Sequence, residues 1–104
     1  MTTTNKSHKA RARTLAKKIA TYMVADEAFE NHHWVSKESD FNEVEKERLN
    51  TLIPEIIAVF DKADGSDWNA VLSGLNALCP VFHFGFRAQD VALEMLTRYG
   101  YNFN

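Results

Sequence analysis

No acidic residue precedes Asp26. Lys6, Lys9, Arg11, Arg13, Lys17 and Lys18 are therefore unopposed and give the opening 25 residues a charge of +6. The remainder carries six bases against all 14 acids, a charge of −8. A net charge of −2 hides this polarity. A basic arm attracts phosphates or acidic protein surfaces, so the asymmetry speaks about partners rather than chemistry.

Cysteine is almost as scarce. The lone Cys79 excludes an intramolecular disulfide and fits a reducing compartment. Four glycines and two prolines are too few for a loop-rich β architecture. No apolar run approaches the ~20 residues of a membrane span. The opening Met-Thr-Thr-Thr-Asn-Lys lacks the apolar stretch of a signal peptide, and neither end carries a lipidation box. A cytoplasmic location is expected, the host cytoplasm if the chain is virus-encoded.

What is present suits one small globular domain. The 104 residues are 45% apolar and 25% charged, too apolar for disorder. Residues 1–6 read as a disordered tail and 7–104 as a single helical domain. From Ser7, a candidate N-cap, to Ala28, the residues Leu15, Ile19, Tyr22 and Met23 recur at helical spacing, with the bases on the opposite arc. Residues 29–39 read as a connection from which Trp34 and Val35 fold back onto the core. Asp40 and Glu43 form a capping-box pattern that opens a second helix. Its stripe, Leu49, Leu52, Ile53, Ile56, Ile57 and Phe60, keeps phase through Pro54. That favours one kinked helix over two helices with Pro54 at the start of the second. Asp64-Gly65-Ser66 is a stop signal, with Ser66 or Asp67 capping a third helix over 67–78. Cys79-Pro80 ends it. A fourth stripe, Val91, Ala92, Met95, Leu96 and Tyr99, predicts a helix over 87–99 with Gly100 as its C-cap. Four amphipathic helices with short links define an all-α fold, a bundle or irregular helical domain sharing one core.

No catalytic or metal signature emerges. His32, His33, Cys79 and His83 are zinc-ligand types, but their spacing is wrong, so no metal and no cofactor are implied. Cys79 has no sequence-adjacent base to activate it and reads as packing. Placing Gly65 at position 6 of a calcium loop puts Phe60 at 1, Lys62 at 3 and Val71 at 12, so Asp61, Asp64 and Asp67 read as caps. Glu38, Asp40, Glu43, Glu45 and Glu47 crowd the start of a helix, where the macrodipole favours anions. If functional, they would mimic a phosphate run or receive a basic partner.

Two features point to binding. The first is the basic helix, with Lys9, Arg11, Arg13, Lys17 and Lys18 as candidate contacts. The second is the run Phe82-His-Phe84-Gly-Phe86, whose three rings cannot all turn inward from a short connection. With Trp34 they are candidate hydrophobic anchors. The expectation is a small non-enzymatic interaction protein that binds, and so modulates or inhibits, a larger protein or nucleoprotein complex. Accessory and inhibitor proteins of phages and other mobile elements are of this type. The alternative is a DNA- or RNA-binding regulator using the basic helix, although its aromatics are sparse and no recognised nucleic-acid motif follows. A weaker third reading is an enzyme assembled across a homo-oligomer from His32, His33 and the acids.

Overall fold

The computed structural model describes residues 6–62 and 68–98, and the side chains of 10–62 and 68–95. The protein is all-α. Its helices are α1 (Lys6–Glu30), α2 (Glu43–Lys62), α3 (Trp68–Leu78) and α4 (Phe86–Arg98), with one 3-10 turn at Glu38–Asp40. There is no strand among the described residues. The Gly65 stop with its Ser66 or Asp67 cap, Asp64, the terminal Tyr99–Gly100 signals and most of the expected tail lie outside the described residues. So do the side chains of Lys9 and Leu96.

α1 is the hub, packing against α2 on one side and α4 on another, while α3 rests on α2. Its stripe is wide because it serves two neighbours. Ala12, Leu15, Ala16, Ile19, Ala20, Met23, Val24 and Ala28 are all buried. Ser7 falls within α1 rather than capping it, and the helix runs two residues past Ala28. There it ends in a Schellman turn: the His33 N–H donates to the Ala28 carbonyl at 2.8 Å and the His32 N–H to the Phe29 carbonyl at 3.0 Å. This turn needs a left-handed residue, normally glycine. His32 occupies it with φ of 63°.

The start of α2 differs from the Asp40/Glu43 capping box. Phe41 is buried, and holding its ring in the core keeps the backbone extended there, so no helix forms until past it. The box is built two residues later. The Asn42 side chain accepts the Glu45 N–H and the Glu45 carboxylate accepts the Asn42 N–H, both at 2.9 Å. Asp40 instead accepts from the Ser36 N–H, the Ser36 hydroxyl and the Lys37 N–H, which closes the preceding turn.

α2 is one helix through Pro54. Proline leaves the Asn50 carbonyl without its helical donor, but Asn50 and Pro54 both face water, which can supply one. Leu49, Leu52, Ile53, Ile56 and Phe60 are buried as their spacing predicts, and Ile57 is half-buried at the margin. α3 approaches α2 closely at Gly74, where an added Cβ would lie 2.7 Å from a methyl of Val59. From α3 Val71 and Leu75 complete the core, and from α4 Ala88, Val91, Ala92 and Met95.

Candidate interaction surface

The basic residues of α1 do not form one stripe. Arg11 and Lys18, seven residues apart, share one side, while Arg13 and Lys17 share another. The two groups flank the buried stripe and face different neighbours. Arg11 pairs with Glu94 of α4. Lys17 pairs with Glu38 in the turn before α2, at 3.2 Å. Both pairs are well exposed, of a kind contributing at most about 1 kcal/mol. Arg13 and Lys18 make no ion pair among the described residues. The arm is thus partly neutralised by the acids of its own fold.

The crowded acids are likewise occupied locally. Glu43 pairs with Lys46 at 3.5 Å. Burial resists the charge on Glu45, but the Asn42 N–H and the His33 ring, 2.7 Å away, outweigh it and hold the carboxyl below its ordinary value. Asp40 is also lowered, first by the Ser36 N–H and then by its hydroxyl. Asp40 and Glu45 fasten the connection 31–42.

One turn farther along α2 one arginine ties three helices. Arg48 of α2 grips Glu27 of α1 through two bonds of 3.0 and 2.9 Å and donates to the Leu78 carbonyl at 2.8 Å. The last residue of α3 thereby receives a cation at its negative end. Cys79 follows directly. It is fully buried, with its thiol 3.8 Å from the Met23 carbonyl. Burial, reinforced by the Glu27 carboxylate, pushes that thiol up to about 11. It is therefore a thiol at neutral pH, and a thiol is a poor nucleophile.

The four zinc-type residues are dispersed among other partners. His33 faces Glu45. His83 is exposed, and its backbone N–H donates to Asp26 at 2.8 Å with its ring 3.7 Å from the same oxygen. No group of three or more potential metal ligands occurs among the described residues. No helix among them is long and apolar enough to cross a membrane.

The aromatic residues divide sharply. Phe82 is buried, so its ring is core and offers no contact to a partner. Phe84 is half-buried, edge-on to both Phe82 and Trp68 with ring centres 5.5 and 5.7 Å apart. Phe86 turns outward and is 86% exposed. The reason is its register. Phe86 is the first residue of α4 and shares a side with Gln89 and Asp90, away from the buried stripe beginning at Ala88. The run of three is thus two core rings and one surface ring.

Trp34 does not fold back onto the core. It is 76% exposed, and Val35 packs inward instead. Trp34 stands edge-to-face against Phe29, itself 58% exposed, with ring centres 5.7 Å apart. Phe29, Glu30, His32 and Trp34 enclose an open depression of about 360 Å³. One helical turn back along α1, Tyr22, Ala25 and Asp26 meet His83, Phe86 and Arg87 around a second depression of about 450 Å³. Phe29 is absent from the sequence candidates, and His32 appears there as a ligand or catalytic type, not as a partner contact. Phe29 lies seven residues after Tyr22, so extending the helix past Ala28 would have placed it on this side. Nothing in composition marks His32 as left-handed.

No protein-family model matches this chain, and no curated protein or solved structure is significantly similar to it.

Proposed function

We propose that this is a small non-enzymatic helical protein that binds, and so modulates or inhibits, a larger macromolecular partner in the cytoplasm. One observation carries the reading. Phe29 and Trp34 hold large rings in water around one depression at the C-terminal end of α1, and Phe86 does so at a second depression lined by α1 residues about one turn earlier. Leaving such rings exposed sacrifices burial energy, and clustered exposed aromatics are the usual anchors of protein interfaces. Trp34, Phe86 and Phe29 are the contacts of this surface. A nucleic-acid partner is less well supported, because Arg11 and Lys17 are paired within the fold and the bases lie on two sides of α1.

The test is capture from source cells with wild type and with a Trp34→Ala/Phe86→Ala variant. A specific protein should be retained by the first and lost by the second, with the variant's melting temperature unchanged. Equal capture by both would refute the surface. Sub-micromolar binding of random oligonucleotides at ~150 mM salt, abolished by Arg13→Glu/Lys18→Glu, would replace this reading with the nucleic-acid regulator.

A further inference from the structure

We propose that the depression between Phe29 and Trp34 receives a cationic side chain, arginine or lysine, carried by a basic segment of the protein partner. The proposal rests on the binding role above and names the chemistry that role selects.

Four features converge there. Two aromatic rings line it, nearly perpendicular at 69° with ring centres 5.7 Å apart. An aromatic face attracts a cation through its quadrupole, and tryptophan does so best. Glu30 lines the same depression and makes no ion pair among the described residues. The depression also lies at the C-terminal end of a 25-residue helix, the negative pole of the macrodipole. No basic residue occupies the last turn of α1 to offset it. Finally, His32 stands at φ 63° on the rim, and such strain in a non-glycine residue persists where the surrounding structure imposes it.

An apolar insert would desolvate Glu30 without compensation, and an anion would meet a carboxylate and a helix pole of its own sign. A guanidinium or ammonium group satisfies both the rings and the charge. Three of the protein's own arginines are held away from the site. Arg48 is committed to Glu27 and Leu78. Arg11 and Arg13 are rigidly separated from the site by the helix, which rises ~1.5 Å per residue.

The probe is an acetylated, amidated glycine peptide carrying two arginines, with a citrulline peptide as its uncharged isostere. Titration into isotopically labelled protein is followed by NMR. The arginine peptide should shift the Trp34 indole N–H and the amides of residues 29–34 saturably, and the citrulline peptide should bind at least about fivefold more weakly. Trp34→Ala should weaken arginine binding about fivefold and Glu30→Gln about threefold, while Glu47→Gln, an exposed acid elsewhere on α2, should leave it unchanged. All three changes are at exposed positions, and circular dichroism checks that each variant is folded. Equal binding of the citrulline peptide overturns the proposal, as does undiminished binding by Trp34→Ala and Glu30→Gln. Concentration-dependent shifts of the same resonances without peptide would assign the site to the basic arm of a second copy, and also overturn it. A partner captured through Trp34 by a protein indifferent to the arginine peptide would leave the binding role standing and remove only the cation.

Discussion

Two groups of three aromatic residues occupy this small protein with opposite fates. Trp68, Phe82 and Phe84 interlock edge-to-face at the margin of the core. Phe29, Trp34 and Phe86 project into water. The local sequences are not what separates them, since Phe84 and Phe86 are two residues apart. The difference is register against a rigid neighbour. Phe82 is in the connection where it passes over the core, and Phe84 packs against Trp68 there. Phe86 has already entered α4, whose periodicity assigns it to the outer side. Phe29 is likewise displaced from the buried stripe of α1 by one position after Ala28. An exposed ring held at a helix terminus has its direction set by the helix, and that makes it usable as an anchor.

The comparison breaks most visibly in stability. Phe82→Ala should cost about 3–5 kcal/mol in denaturant unfolding, because it opens a cavity beneath Phe84. Trp34→Ala and Phe86→Ala should each stay within about 0.5 kcal/mol of wild type. A loss above about 2 kcal/mol at Trp34 would mean that its ring supports the fold and is not free to bind.

A finer probe is the turn that presents Phe29 and Trp34. His32→Gly removes a Cβ from a left-handed position and should raise stability by about 0.5–1 kcal/mol. If the strain serves the depression, the same change should weaken binding of the arginine peptide, so that stability and affinity move in opposite directions. Unfolding and titration of one variant decide both.

The smallest effect expected is a pH dependence confined to the connection. Glu45 ionises below its ordinary value in the folded state, so its contribution is present above about pH 4 and is lost as pH falls through the lower folded value. Glu45→Gln should lower the melting temperature at pH 7 and flatten its decline between pH 5 and 3. An identical decline in wild type and variant would place the acid sensitivity elsewhere.

Much of the fold was legible from periodicity alone. Stripes at 3.6-residue spacing locate four helices, and the unbroken phase through Pro54 marks one continuous α2. Helix starts were less legible. Burial of Phe41 moves the second helix onto Asn42 and Glu45, and no local pattern announces that a ring must enter the core first. The surface was legible only in part. Trp34 and Phe86 stand out as large rings in connections, but a connection has no period to say which way a ring points. Val35 takes the inward place that size alone assigns to Trp34. The basic arm illustrates the opposite difficulty. Its composition is plain, yet its pairing with Glu94 and Glu38 depends on which helices become neighbours.

α4 docks chiefly on α1 rather than on α3, the helix before it. Its attachment therefore closes a long excursion of chain, seen in the His83–Asp26 bond between residues 57 apart. Closing a loop of that length costs chain entropy, which release of the element that closes it recovers. Amide exchange should accordingly find α4 opening as a unit below the global unfolding energy, while α1 and α2 stay paired. When it leaves, Phe86 leaves with it, but Phe29 and Trp34 remain on α1 and its turn. The two depressions would then have separate lifetimes: one lasting as long as the folded protein, the other interrupted each time the last helix lifts away.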